Sequence, residues 1–162
     1  MAQWLADTQG TAHVRPEERW NPQPDRRASI HCYAFAGPTP GNAAFAARCE
    51  RTLGARSHRI ANQRDTVTHA WEPGSMAGIS ALYPSPVLPV PGLDQLAAQV
   101  ARSVEPLGYR HVNAAPAHFE APVDRRFSAL PLQLAHQHSQ AYMDHHGLGD
   151  VLPTTSMFDP IR

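Results

Sequence analysis

The stretch from His31 to Val67 reads HCYAFAGPTPGNAAFAARCERTLGARSHRIANQRDTV and decides the fold class. Residues 29–36 form a short apolar run that ends at a Gly-Pro pair, which predicts a mostly buried strand. Asn42 can cap a helix that we expect to run to about Leu53, and residues 57–61 form a second strand. A strand, a helix and a strand within about 35 residues form a right-handed crossover unit. The sequence therefore predicts an α/β fold, a parallel sheet covered by helices.

Several features of this stretch occur together in one known family. They are the turn Gly37-Pro38-Thr39-Pro40-Gly41-Asn42, the helix start at Ala44 and Phe45, the strand residues Arg59–Asn62 and the following Asp65–Val67. In this order they resemble the class 3, or fungal-type, lipases. Residues 130–146 resemble a later part of these lipases moderately, and residues 2–9 resemble an earlier part weakly.

The resemblance implies a variant of the α/β-hydrolase fold, in which a serine on a G-x-S-x-G elbow is followed along the chain by an aspartate and a histidine. No G-x-S-x-G occurs in this sequence. Leu5–Gly10 resembles the end of the helix that follows the elbow, and no capping side chain precedes the helix expected there. We therefore expect a partial α/β-hydrolase-like domain, truncated at the N-terminus, with the elbow just upstream of Met1.

The aspartate is expected at Asp65, which follows a strand at the carboxyl edge of the predicted sheet. From position alone an aspartate there more often just starts a turn. The resemblance implies instead that Asp65 accepts a hydrogen bond from the catalytic histidine, fixes its tautomer and stabilises the imidazolium.

Ten histidines are candidates for the base. The segment Gln137-His138-Ser139-Gln140-Ala141-Tyr142 resembles the histidine, followed by a tyrosine, near the end of these lipases, so the resemblance implies that His138 is the base. His136, His111 and His118 are the alternatives. We expect one helix over residues 130–146, in which Leu130, Leu134 and His138 share the buried side.

The serine whose surroundings are most similar to the G-x-S-x-G motif is Ser75, in Gly74-Ser75-Met76-Ala77-Gly78. Its glycines lie at −1 and +3, whereas the strained turn needs small residues at −2 and +2. Ser75 also follows Asp65 in the chain, which contradicts the family order. We therefore do not expect Ser75 to be the nucleophile.

A metal site is a further possibility, because five ligand-type side chains are close in sequence near the C-terminus: His136, His138, Asp144, His145 and His146. Zinc sites need three or four ligands that converge on one point. On a helix His136 and His138 point in nearly opposite directions, so we expect no metal and no cofactor.

Composition limits the remaining functions. The 162 residues suit one domain, and 14 basic and 14 acidic side chains leave no net charge to attract nucleic acid. No apolar run is long enough to span a bilayer, and the N-terminus has no features of a secretory signal, so a cytoplasmic location is the default expectation. Cys32 and Cys49 are expected to be free thiols.

The rest of the chain has weaker patterns, and its 16 prolines indicate many loops. We expect a hydrolase-like domain over residues 1–146 and a loose tail over 147–162. Within the domain we expect a surface loop at 11–27, an irregular apolar segment at 71–92 that either packs over the core or lines an acyl-chain groove, a helix at 93–104 and a short strand at 109–112.

Our main hypothesis is the C-terminal part of a lipase-like serine hydrolase for acyl esters of lipids, inactive alone because the serine is missing. The alternative is a non-catalytic binding or regulatory protein on a degenerate hydrolase scaffold. If the chain is such a C-terminal part, the strand at 30–36 lacks the elbow strand as its neighbour, so we expect an exposed edge that favours self-association.

Overall fold

The computed structural model describes residues 1–10, 14–21, 26–112 and 117–151. Its helices are α1 (Ala2–Thr8), α2 (Ala43–Leu53), α3 (Pro73–Met76), α4 (Leu93–Val104), α5 (Leu130–His138) and α6 (Gln140–His145). Its strands are β1 (Cys32–Phe35), β2 (Ser57–Asn62) and β3 (Ala117–Phe119). Short 3-10 helices lie at Pro16–Glu18, Gly54–Arg56, Thr66–His69, Ile79–Leu82, Glu105–Leu107 and Gly149–Val151.

The strands form one parallel sheet in the order β1-β2-β3. Cys32 pairs with Ser57 at the start of the first ladder, and Ile60 pairs with Ala117 at the start of the second. Because every connection between these strands passes through helical segments, the architecture is α/β, which confirms the predicted fold class.

Helix α2 begins and ends where local chemistry dictates. The Asn42 side chain accepts a hydrogen bond from Phe45 N at 3.0 Å, which satisfies one of the free amides of the first turn. Gly54, with φ of 53°, ends the helix in a conformation that a side chain would strain. Ala46 and Cys49 bury the inner face of the helix against Val112, and Phe45 packs beside them.

Strand β1 is exposed, so the prediction of a mostly buried strand is wrong for the described residues. Tyr33 is 60% exposed and Phe35 is 52% exposed. Within the described sheet β1 is an edge strand that pairs with β2 on one side. The Tyr33 ring stacks on His58, with 4.6 Å between ring centroids, and Phe35 meets His146 edge-on.

The third strand lies later in the chain than predicted. Residues 109–112 form no strand, and Tyr109 makes one isolated antiparallel bridge to Asn42. The strand that pairs with β2 is Ala117–Phe119, which lies outside the predicted strand. Three residues beside a proline are too few to leave a periodic pattern, and pairing with β2 decides their conformation.

The predicted helix over residues 130–146 is two helices. Ser139 separates α5 from α6 with φ of −130° and ψ of −77°, and its hydroxyl donates to Ala135 O at 2.6 Å. The predicted inward face is also wrong, because the buried residues of α5 are Gln133, His136 and Gln137 and His138 is exposed. The buried face is polar, and apolar periodicity cannot detect a polar face.

A second cluster packs α3 against α4. Met76, Ala101 and Val104 are buried there, with Ile79 and Tyr109 packed against them. Helix α4 has the predicted bounds. In the segment 71–92, Val87 is also buried, whereas Leu88 and Val90 are exposed.

Helix α1 packs on α2 through polar contacts. Gln3 Nε2 donates to Thr52 Oγ1 at 3.2 Å, and Arg48 pairs with Asp7 at 3.0 Å. Of the expected loop at 11–27, residues 11–13 and 22–25 lie outside the described residues, and Trp20 bridges to Gln9. Residues 152–162 of the expected tail also lie outside the described residues.

Cys32 and Cys49 are free thiols, as expected. Burial raises the pKa of the Cys49 thiol, and the neighbouring Cys32 adds to the shift. None of the helices in the described ranges has the length and apolar character needed to cross a membrane.

Candidate active site

Asp65 lies in the tight turn that follows β2, and its side chain is nearly inaccessible, at 1% exposure. Its backbone N–H donates to Asn62 O at 3.0 Å. Its carboxylate atom Oδ1 accepts from Val67 N at 2.9 Å and so caps the 3-10 helix Thr66–His69. The turn therefore fixes the carboxylate with Oδ1 occupied and Oδ2 free for a distant partner.

That partner is His138, the last residue of α5. The distance from His138 Nδ1 to Asp65 Oδ2 is 2.9 Å. A carboxylate can only accept, so Nδ1 carries the proton and the neutral ring has its lone pair on Nε2. The His138 side chain is 45% exposed, and no hydrogen bond to Nε2 occurs within the described ranges. The imidazole is thus held at one nitrogen and accessible at the other.

Tyr142 of α6 provides a second donor to the same carboxylate oxygen. Its hydroxyl donates to Asp65 Oδ2 at 3.1 Å and accepts from Asn62 N at 2.8 Å. Burial raises the pKa of Tyr142 well above its usual value, and the negative charge of Asp65 opposes ionisation further. The phenol therefore stays protonated and supports the orientation of Asp65.

A buried amide network holds α5 against the end of β2. Asn62 Nδ2 donates to Gln137 Oε1 at 2.6 Å and to Gln137 O at 3.1 Å. Gln137 Nε2 donates to Pro122 O at 2.9 Å. With the Gln133 amide oriented to suit its neighbours, its oxygen accepts from Gln137 Nε2 and its nitrogen donates to Asp124 O. Asn62, Gln133 and Gln137 are fully buried, so this network fixes the position of the helix that carries His138.

Two comparisons with known proteins found a similarity to lipases, one in sequence and one in structure. The family model described as Lipase (class 3) matches residues 11–73, which include Asp65. The crystal structure of M37 lipase is similar over 95% of this chain, with a TM-score of 0.80 and 29% sequence identity. The chain is therefore similar to class 3 lipases in part of its sequence and in its fold. It spans 44% of the length of the M37 lipase chain, and a search of curated proteins found no match.

The alternative histidines have other partners. His111 Nδ1 lies 3.0 Å from Thr39 Oγ1, and His118 Nε2 lies 3.0 Å from Arg59 Nη1. The buried His136 lies 4.0 Å from Asp124. Burial lowers the pKa of His136, so the ring stays neutral. Within the described ranges none of these histidines bonds to Asp65, and His138 does.

The ligand-type side chains near the C-terminus, which we did not expect to form a metal site, contact other groups. His145 stacks on Phe119 with 3.8 Å between ring centroids, and His146 contacts Phe35 edge-on. Gln140 Nε2 donates to Asp144 Oδ1 at 2.8 Å. In residues 1–10, 14–21, 26–112 and 117–151, no group of three or more histidine, cysteine or acidic side chains is placed to hold a metal ion.

Neither Ser75 nor Ser139 makes a hydrogen bond to His138 in the described structure. Ser139 is adjacent in sequence, and its hydroxyl donates to Ala135 O. Ser75 lies in α3, where its backbone N–H donates to Glu72 Oε2 at 2.6 Å. The described site therefore contains a carboxylate and an imidazole with triad-like geometry, and no serine beside the imidazole.

Sequence reasoning did not identify Gln133 and Gln137 as members of the site. Both are neutral polar residues without a catalytic motif. One signal was available, because two glutamines four residues apart lie on the same face of a helix. Their partners are far away in the sequence, so only the folded chain shows why that face is polar.

Proposed function

We propose that Asp65 and His138 are the acid and base members of the catalytic triad of a serine hydrolase for acyl esters of lipids. The observation that carries the proposal is the 2.9 Å contact between His138 Nδ1 and a carboxylate that is 1% exposed. A buried carboxylate that fixes the tautomer of an accessible imidazole is the arrangement that a serine nucleophile requires. The match of residues 11–73 to the class 3 lipase family model supports the same reaction class.

In the proposed mechanism, Nε2 of His138 takes the proton of the serine hydroxyl as its oxygen attacks the ester carbonyl carbon. The carboxylate of Asp65 stabilises the imidazolium that forms. When the tetrahedral intermediate collapses, Nε2 returns the proton to the departing alcohol and an acyl-serine remains. Water then attacks the acyl-serine by the same two proton transfers, which releases the fatty acid and restores the serine.

We further propose that the serine is contributed by a segment outside these 162 residues and that the chain alone is inactive. The absence of a G-x-S-x-G motif supports this proposal, as does the coverage of 44% of the M37 lipase chain. In this proposal residues 1–146 are the C-terminal portion of the hydrolase domain, and residues 147–162 are a tail.

The substrate is proposed to be an acyl ester of a lipid. The M37 structure is described as a lipase, and the matched family is described in the same way. The partly exposed His138 ring supports access of a substrate from solvent.

The test compares the chain alone with a version that has the coding segment immediately upstream restored. Hydrolysis of short and long p-nitrophenyl esters is measured for both. We expect no turnover by the chain alone, and turnover by the extended protein that Asp65→Asn and His138→Ala abolish. Turnover by the chain alone, abolished by both substitutions, would show that the missing-serine proposal is wrong.

An extended protein that binds lipid esters without hydrolysing them would favour the non-catalytic alternative. A fluorophosphonate probe separates the two cases, because it labels a serine that is activated by a histidine. We expect labelling of the extended protein that depends on His138.

A further inference from the structure

A small open pocket lies on the face of the sheet opposite to α5. Successive side chains of a strand point to opposite faces, so Arg59 of β2 faces away from the side on which Asn62 meets Gln137. The pocket has a volume of about 90 Å³. Its polar lining includes Arg59, Thr68, His69, Ser75, His111 and His118. The proposed acyl transfer uses none of these side chains.

Arg59 provides a positive charge without a carboxylate partner in the described part of the chain. Its Nη2 donates to Thr68 O at 2.7 Å, and its Nη1 donates to His118 Nε2 at 3.0 Å. The ion pairs among the described residues involve other side chains. A guanidinium has five N–H donors in a planar fork, so donors remain for a ligand. A half-buried cation without a counter-charge favours an anionic ligand.

The two pocket histidines His111 and His118 contribute hydrogen-bond donors to the pocket and no positive charge. His118 accepts from Arg59 at Nε2, so its neutral ring carries a proton on Nδ1. Burial lowers the pKa of His111 to about 4, and burial followed by the charge of Arg59 lowers the pKa of His118. Both rings are therefore neutral at pH 7, and Arg59 is the cation that an anion would meet.

Glu72 is an acidic side chain whose charge acts on the pocket residue His111. Its carboxylate accepts from Ser75 N at 2.6 Å and also bonds to the Ser75 side chain. Asp65 also acts on Arg59 through space and raises the pKa of its guanidinium, whereas burial lowers it. The described contacts of both Asp65 oxygens are with Val67, His138 and Tyr142. Neither acid therefore occupies the guanidinium fork.

We propose that this pocket binds a phosphate group. A guanidinium fork and imidazole N–H groups that line one small pocket match the several acceptor oxygens of a tetrahedral oxyanion. The volume suits a single small group, because pockets for drug-sized ligands measure about 300–1,000 Å³. The phosphate belongs either to a dissolved phosphate monoester or to a lipid head group.

The test is a titration of the 162-residue chain with inorganic phosphate. Binding is monitored by calorimetry and by the NMR signals of the His111 and His118 rings. Sodium chloride at matched ionic strength is the reference. We expect saturable binding and shifts of both rings with phosphate but not with chloride. Absence of saturation, or equal shifts with chloride, would overturn the proposal without any variant being needed.

Arg59→Gln tests the cation, and Arg102→Gln is the matched control because it removes the same charge from an exposed position of α4. We expect Arg59→Gln to weaken phosphate binding at least about tenfold, equivalent to about 1.4 kcal/mol, and Arg102→Gln to leave it unchanged. An equal loss of phosphate affinity in both variants would mean that binding depends on the net charge of the protein, and it would overturn the proposed site. If Arg59→Gln does not fold, Arg59→Lys replaces it, with a smaller expected loss, because lysine keeps the charge but lacks the planar fork of donors.

Two further arms identify the source of the phosphate. Sedimentation with phosphatidylcholine vesicles that contain phosphatidic acid, but not with pure phosphatidylcholine, would support a lipid head group if it depends on Arg59. Binding of glycerol phosphate in solution without vesicle binding would support a dissolved monoester. Tighter saturation by acetate than by phosphate would overturn the phosphate assignment. Lack of phosphate binding leaves the proposed ester hydrolysis intact, since that reaction does not use Arg59.

Discussion

The Nδ1 atom of His138 lies 2.9 Å from Oδ2 of Asp65, although 73 residues separate them in the sequence. The contact joins a turn after the central strand to the last residue of a helix whose inner face is polar. The position of each partner is determined by groups other than the pair itself: Val67 and Tyr142 for the carboxylate, and the buried glutamines for the helix.

Substitution of either member of the pair is expected to abolish the proposed esterase activity of the upstream-extended protein. Asp65→Asn should lower kcat by about 10,000-fold, because an amide no longer selects the Nδ1–H tautomer or stabilises the imidazolium. The measurement is p-nitrophenyl ester hydrolysis. The exposed His31 provides the control His31→Ala, which should retain full activity. An active Asp65→Asn protein would refute the triad assignment.

Tyr142→Phe removes a hydroxyl that serves Asp65 and the backbone N–H of Asn62 together. Since both groups are buried, we expect the free energy of unfolding to fall by about 1–3 kcal/mol. Urea denaturation measures the change. Tyr33→Phe is the control, because Tyr33 is 60% exposed and should change the stability little. Equal effects of the two substitutions would contradict the proposed role of Tyr142.

Gln137→Leu tests the amide network without touching Asp65 or His138. The substitution leaves the Asn62 amide and Pro122 O without their partner in a fully buried site, so we expect a loss of at least about 2 kcal/mol of stability. Gln99→Leu makes the same exchange at an exposed position of α4 and should be nearly neutral. A stability loss in Gln99→Leu as large as in Gln137→Leu would indicate that hydrophobic replacement of a glutamine, rather than loss of the network, is responsible.

The exposed strand β1 is expected to mediate self-association of the 162-residue chain. Its outer edge has no partner in the described sheet, and Tyr33 and Phe35 are exposed along it. Sedimentation should show a concentration-dependent dimer or larger species that Tyr33→Lys reduces. Leu96→Lys is the control, because Leu96 is an equally exposed apolar residue on α4. A monomer at all concentrations would refute this prediction.

Stability is expected to fall as the pH falls from 6.5 towards 4. Burial, followed by the charge of Arg59, lowers the pKa of His111 from 6.5 to about 4, so the unfolded chain binds a proton there before the folded chain does. Stability therefore rises with pH across that window and is complete above about pH 6.5. Arg59, His69 and His118 oppose protonation, while Glu72 favours it.

We expect His111 to contribute roughly 2 kcal/mol to this pH dependence, discounted for its partial exposure. The measurement is urea denaturation at pH 4.5 and pH 7.5 of the native chain and of His111→Gln. The variant should show a smaller difference between the two pH values. An unchanged difference would assign the effect to His118 and His136, whose pKa values are also lowered.

The β1-α2-β2 unit and helix α4 were predictable from the sequence because local chemistry determines them. Asn42 caps α2, Gly54 ends it, and apolar residues at helical spacing predict α4 over its observed range. Asp65 and His138 were selected for a different reason, namely the resemblance to class 3 lipases. Periodicity alone placed His138 on the buried side of one long helix, which was wrong.

What the sequence determined by itself is therefore the α/β class, the crossover unit and the candidate residues of the site. The tertiary structure alone decided the position of β3, the break at Ser139, and which face of α5 is buried. The physical reason is that these features depend on partners distant in sequence. The amides of Asn62 and Gln137 are stable in the interior only when they bond to each other, and no local pattern of apolar residues records that pairing.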